Sequence, residues 1–220
     1  DYTGFWTGSV EEYARLLKVA YLAARHADPQ AKIILGGLAN ITPSSTWLPD
    51  TLAVINTYPD KDANGWFFDA IAEHNYVNAW NTFNYLFRAT QALKTYTITN
   101  KSLWVTESNV WLCDDGDLTP PCVYEGAVVP LRANLNEQAA FVIQSAAYAT
   151  WMNVVAPVEA IFHFQMVDDC VDPLTGPNGE RWGGGLGLVR NPTGWGCFPP
   201  YLPDTPRPAY YAFQATTNYL

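Results

Sequence analysis

Glu107 closes the run Lys101-Ser-Leu-Trp-Val-Thr-Glu107, a short apolar segment of β character that ends on a lone carboxylate. A helix-like stretch precedes it and a long irregular one follows. A strand that carries an acid to its C-terminal tip is the way an α/β barrel presents a catalytic carboxylate. The same group would serve, more plainly, to cap a helix or pair with an arginine. The side chains expected to surround it follow from strand alternation. Phe68, Ala70, Ala72, His74 and Tyr76 share one face of the preceding strand, and Ile161, His163 and Gln165 share a face of a later one. Leu103, Val105 and Glu107 form the corresponding set in their own strand. Each set starts apolar and turns polar at its C-terminal end, as the interior of a barrel with a site at its top would. Aromatic rings beside a carboxylate suit a sugar, whose apolar faces stack on indole or phenol. Tyr76 and Trp111 are the foremost candidates, with Trp182 and Trp195 behind them. His74 and His163 have an alternative as core histidines bonded to backbone carbonyls, and the aromatics as loop anchors.

Other chemistries lack their residues. Gly183-Gly-Gly-Leu-Gly187 misses the spacing of a dinucleotide loop, and no phosphate loop, nucleophile elbow or H-E-x-x-H is present. The acidic stretches Asp114-Asp-Gly-Asp117 and Asp168-Asp169 do not match a calcium loop. Neither a metal nor an organic cofactor is expected. The net charge of −9, from 12 basic and 21 acidic residues, argues against nucleic acid. No apolar run approaches the roughly 18 residues of a bilayer span.

The elements that must position these residues alternate. Ser9-Val-Glu-Glu12 is a capping box, followed by Tyr13, Leu16, Leu17, Ala20, Tyr21 and Ala24 at helical spacing. Strands are predicted over 32–38, 67–76, 102–107 and 158–167. Helices are predicted over 47–58, 79–97 and 136–153, the last capped by Asn136, and over 209–220, with Pro208 in its first turn. Strict alternation predicts parallel strands joined by right-handed crossovers. The two long loops follow the third and fourth strands, on the edge where α/β sites form. They hold the four cysteines: Cys113 and Cys122 in one, Cys170 and Cys197 in the other. An even number in loop sequence fits two disulfides, Cys113–Cys122 and Cys170–Cys197, in a secreted or cell-surface protein. Four free thiols are the alternative.

In order and spacing these segments resemble the second half of a clan A glycoside hydrolase, a family of retaining (β/α)8 barrels. Tyr13-Ala-Arg-Leu-Leu-Lys-Val-Ala-Tyr21 and Ala27-Asp-Pro-Gln-Ala-Lys-Ile-Ile-Leu-Gly-Gly37 resemble helix four and strand five. Phe68-Asp-Ala-Ile-Ala-Glu-His-Asn-Tyr76 resembles strand six, and Leu103-Trp-Val-Thr-Glu-Ser108 resembles strand seven with its nucleophile. Gly187-Leu-Val-Arg190 and Arg207-Pro-Ala-Tyr-Tyr-Ala-Phe213 resemble the segment after strand eight and the closing helix. The resemblance implies that residues 1–220 are the C-terminal half of one TIM barrel domain, strands five to eight with their helices. It implies a hydrolase of poly- or oligosaccharides, with Glu107 as nucleophile and His74, Tyr76, Trp111, His163 and Gln165 around the substrate. The family's acid/base glutamate lies in an Asn-Glu-Pro motif ending strand four, which is expected just upstream of Asp1. The partner implied is the N-terminal half of the barrel, in the same polypeptide or a separate chain. On this expectation the present chain alone is inactive, and half a barrel leaves sheet edges open. The rival is a non-catalytic barrel-derived module that binds carbohydrate or serves a structural role at a surface.

Overall fold

The structure is a computed structural model. It describes residues 6–39, 41–112, 123–124, 127–128, 133–168, 174–175, 181–182, 185–191 and 204–219. Helix α1 (Val10–Ala27) is followed by β1 (Ile34–Ala39), α2 (Trp47–Asn56), β2 (Ala70–Tyr76), α3 (Trp80–Thr95) and β3 (Ser102–Asn109). A small hairpin, β4 (Val123–Tyr124) with β5 (Ala127–Val128), precedes α4 (Leu135–Met152) and β6 (Val158–Ile161). A second hairpin, β7 (Leu174–Thr175) with β8 (Arg181–Trp182), precedes α5 (Pro208–Tyr219). The main sheet has the order β1-β2-β3-β6, with β1 parallel to β2 and β3 parallel to β6. Four parallel strands alternating with helices are half of a (β/α)8 barrel, as predicted.

The chain clusters into two compact units. The first comprises residues 1–74, 83–106 and 151–161. Its core joins Leu17 and Tyr21 of α1, Leu48, Leu52 and Ile55 of α2, and Leu86 and Leu93 of α3 to Leu35, Ile71, Leu103 and Val105 of the sheet. Each such fully buried leucine or isoleucine contributes roughly 1.5–3 kcal/mol. Helix α1 begins as predicted. The Ser9 hydroxyl accepts from Glu12 N–H at 3.2 Å, and the Glu12 carboxylate accepts from Ser9 N–H at 2.7 Å. Its buried stripe is Ala14, Leu17 and Tyr21, whereas Leu16, at 51% exposure, lies outside it. In β1 the register slips between Gly36 and Leu38, so Gly37 is a bulge residue. Gly37 has φ +61, and a Cβ there would stand 2.9 Å from His74 Nε2. Both the backbone conformation and the close approach of the imidazole require glycine.

Among the described residues the polar interior of this unit holds an uncompensated carboxyl group. Glu73 on β2 is fully buried, and neither carboxylate oxygen has a hydrogen-bond partner. Burial pushes its ionisation well above the ordinary carboxylate range. A raised folded-state value gives stability that is complete below the unfolded carboxylate range and is lost as pH rises through the folded value. Glu73→Gln removes this titration while keeping the polar shape. Its stability relative to the native protein is expected to rise with pH, by up to about 1.4 kcal/mol per unit between the unfolded carboxylate range and the folded value, and to level off above it. Urea melts between pH 4 and 9 measure this, and parallel pH profiles would contradict it.

The second unit comprises residues 75–82, 107–150 and 162–220. Here two predicted boundaries change. The N-cap of α4 is Asn134, not Asn136. Asn134 Oδ1 accepts from Glu137 N–H and Glu137 Oε2 accepts from Asn134 N–H, each at 2.9 Å. The i, i+3 reciprocity of a capping box exists only for that pair. The predicted strand over 158–167 ends at Ile161. Beyond it the main chain changes partners. Phe164 N–H donates to Ser108 O, and Leu188 and Val189 donate to Gln165 O and Met166 O. The described segment after Ile161 is therefore irregular, and Phe162 and Phe164 are 50% and 40% exposed. The cysteines Cys113, Cys122, Cys170 and Cys197 lie outside the described residues, as does Trp195, and of Trp182 only the backbone is described.

Candidate functional site

Glu107 lies near the C-terminal end of β3, which continues through Ser108 to Asn109. Burial along β3 alternates from Leu103 to Thr106 and then breaks, because Thr106 and Glu107 are both half-buried and Ser108 and Asn109 are both buried. Simple alternation puts Glu107 on one face with Leu103 and Val105. Those two side chains are in a core, and the carboxylate is accessible.

Tyr76, the last residue of β2, donates its hydroxyl to Glu107 Oε2 at 2.6 Å. A short phenol–carboxylate bond of this kind is charge-assisted and fixes the carboxylate's orientation. Burial first, and then the bond and charge of Glu107, push the Tyr76 phenol far above its ordinary value, so it stays a donor at any working pH. Tyr76 stacks on Trp111, with centroids 4.8 Å apart and planes 24° from parallel. The indole follows β3 by two residues, so the end of one strand supplies the acid and its extension supplies the aromatic wall. Of the predicted residues, Glu107, Tyr76 and Trp111 are thus brought together by direct contacts.

His163 is tied to the same strand end. Its Nδ1 lies 3.3 Å from Ser108 O, and its ring meets Phe213 edge-on with centroids 5.6 Å apart. A carbonyl only accepts, so Nδ1 carries the proton and Nε2 is left as an acceptor. Burial lowers the imidazole's ionisation, with the Ser108 bond opposing in part. His163 is therefore neutral at neutral pH. Gln165 is half-buried, and its carbonyl accepts from Leu188 N–H. His74 belongs to the first unit, beside Gly37.

Two residues missed in the sequence hold this end of β3. Asn109 Nδ2 donates to Phe164 O at 2.8 Å and to Leu186 O at 2.6 Å, and its Oδ1 accepts from Val110 N–H at 2.8 Å. Gln138 of α4 reaches Leu186 O at 3.4 Å and Val110 O at 3.5 Å. Both side chains are fully buried. The sequence shows only an amide two residues beyond a candidate acid; its burial, which demands that its hydrogen bonds be met, is visible in the structure alone. Asp168, of the acidic stretch that matches no calcium loop, is 2% exposed and ion-paired with Arg207 of the segment leading into α5. Among the described residues no three histidine, cysteine or carboxylate side chains converge as metal ligands. No helix among them is long and apolar enough to cross a membrane.

No protein-family model and no curated protein matches the sequence. Solved structures do match in fold. A monomeric beta-xylosidase from Caulobacter crescentus superposes on 100% of this chain and 40% of its own, with a TM-score of 0.58 at 16% identity. A glucosidase from Croceicoccus marinus covers 84% of this chain with a TM-score of 0.55 at 12% identity. A thermostable mutant of a xylanase from Cellvibrio japonicus covers 92%, with a TM-score of 0.54 at 18% identity. The chain spans 33% of the glucosidase and 54% of the xylanase. What is shared with these glycosidases is the fold of part of a TIM barrel.

Proposed function

We propose that this chain is the nucleophile-bearing half of a retaining glycoside hydrolase acting on a poly- or oligosaccharide. The observation that carries the reading is the Tyr76–Glu107 bond of 2.6 Å at the ends of neighbouring strands, with Trp111 stacked on the tyrosine. An oriented carboxylate beside an aromatic platform has the parts that attack at an anomeric carbon requires. In the proposed reaction a Glu107 oxygen bonds to the anomeric carbon as the glycosidic C–O bond breaks. A second carboxyl group, about 5–5.5 Å away, gives its proton to the departing oxygen. Water then attacks the same carbon, loses its proton to that second group and releases the Glu107 carboxylate. The second group is assigned to the upstream half of the barrel. The neutral Nε2 of His163 accepts from a sugar hydroxyl, and Gln165 and His74 are proposed as further contacts.

The decisive experiment is covalent trapping. Incubation of the intact protein with a mechanism-based fluoro-glycosyl fluoride, followed by peptide mass spectrometry, is expected to place the label on Glu107. A label on another carboxylate refutes the assignment. Tyr76→Phe tests the orienting bond. It is expected to lower kcat by about 10²-fold. The alkaline limb of the pH profile should not move, because the phenol does not ionise in the working range. A displaced alkaline limb would make Tyr76 an acid–base group instead. The same reading places the protein outside the cell, with Cys113–Cys122 and Cys170–Cys197 as disulfides. Non-reducing peptide mapping should find those two linkages, and cross-pairing or free thiols would exclude them.

A further inference from the structure

A cleft of about 420 Å³ opens in the second unit, and neither Glu107, Tyr76 nor Trp111 lines it. Its walls come from the turn after β2, the residue after β3, and the first three turns of α4. The volume lies in the range of small-molecule sites, about 300–1,000 Å³. Val77, Val110, Ala133 and Phe141 supply apolar surface. Three polar side chains, Asn78, Glu137 and Gln144, join them.

Two of those three are held in place. Asn78 Oδ1 accepts from Trp80 N–H at 3.0 Å, at the start of α3, which leaves the Nδ2 hydrogens to donate. Glu137 Oε2 is engaged by Asn134 N–H in the capping box, which leaves Oε1 to accept. Gln144, about two turns further along α4, is exposed and offers both a donor and an acceptor. Among the described residues no cation lines the cleft, and the one charge there is a carboxylate. An anionic ligand is therefore disfavoured. A neutral ligand with an apolar face and a rim of hydroxyls fits each requirement. Fixed donor and acceptor groups reduce the ordering cost of such binding.

We propose that this cleft is a second saccharide-binding site, separate from the Glu107 site and taking a neutral sugar unit. The proposal rests on the carbohydrate reading for the class of ligand. Its position adds a consequence. Val77 follows Tyr76 and Val110 precedes Trp111, so the cleft wall is one residue along the chain from each ring of the aromatic stack.

Site-resolved NMR of the intact protein, titrated with neutral xylo-, cello- and laminari-oligosaccharides, distinguishes the two sites. Saturable shifts are expected at the Ala140 and Gln144 amides. Ala140→Phe, which fills the cleft, and Gln144→Ala, at an exposed position, are expected to weaken those shifts about tenfold in affinity. Trp111→Ala should leave them unchanged while removing shifts around Glu107. Melting curves confirm that each variant is folded. Shifts confined to the Trp111 indole and the Glu107 region would overturn the cleft proposal and leave the glycosidase reading standing. Shifts confined to Ala140 and Gln144 would do the reverse. A cleft that responds to a small amine such as ethanolamine but to no oligosaccharide overturns the proposal. So does a cleft that responds to neither.

Discussion

Glu107→Gln in the intact protein is expected to lower kcat/KM for an oligosaccharide by about 10⁴-fold or more, in line with removal of a catalytic group that acts as part of a unit. The carboxamide is nearly isosteric with the carboxylate and still accepts from the Tyr76 hydroxyl. Fold and sugar affinity are therefore expected to persist. What is lost is the ability to form the glycosyl-enzyme, because an amide oxygen neither attacks efficiently nor departs as a stable carboxylate. Initial-rate kinetics check the turnover, and calorimetry with an unhydrolysed oligosaccharide checks the binding. In Glu107→Ala, where the truncated side chain leaves room, external azide or formate should restore part of the rate with inversion at the anomeric carbon, since a small anion takes the place of the missing carboxylate. Retained activity in Glu107→Gln would move the nucleophile elsewhere. Loss of sugar binding together with activity would reduce Glu107 to a ligand of the substrate. Activity absent from the native protein on every glycan tried, with a non-acidic residue upstream where the family places its acid/base, would favour the non-catalytic module.

The parts of this site legible in the sequence are those governed by nearest neighbours. The Ser9–Glu12 capping box depends on two side chains and two amides within four residues, and it forms as written. The strand carrying Glu107 depends on a compact apolar run, and it too is present. Pairing of Tyr76 with Glu107 follows from adjacent strand ends once parallel order is assumed. What stayed hidden depends on partners distant in sequence. The fourth strand of the sheet stops at Ile161 because residues 165 and 166 find the amides of Leu188 and Val189, more than twenty positions later. Alternation gives no hint of that exchange. The bulge at Gly37 accompanies the close approach of His74, and the burial of β3 loses its period of two at Thr106–Glu107, where the buried Ser108 and Asn109 follow. The choice of Asn134 over Asn136 as the cap of α4 was open to a closer reading, since Glu137 stands three residues after the former.

Arg207→Met is expected to destabilise the protein by about 3–5 kcal/mol, the cost of leaving one partner of a buried ion pair uncompensated. Arg207 and Asp168 are each 2% exposed, and the guanidinium bonds the carboxylate directly. Neither group acts alone. Asp168 Oδ1 accepts from Gly187 N–H and Arg207 Nη1 donates to Gly187 O, both at 2.5 Å, while Asn191 Nδ2 donates to Asp168 O at 2.8 Å. A charge pair thus closes around the backbone of Gly187. A side chain at that position would not fit, since a Cβ would lie 2.3 Å from Asp168 N. The pair holds residues 185–191 against the segment that leads into α5, and residues 188 and 189 in turn bond the chain at 165 and 166, beside His163. The variant should therefore melt earlier and also lose order around His163. Methionine keeps much of the arginine's apolar length, so the loss reports the charge and its hydrogen bonds rather than an empty volume. Removal of both charges separates these contributions. Asp168→Asn combined with Arg207→Met leaves no unpaired buried charge, and it is expected to be less damaging than Arg207→Met alone. Urea denaturation of the native protein, the single variant and the double variant measures this ordering. A double variant no more stable than Arg207→Met would mean that the buried charge on Asp168 is not what makes the single change costly.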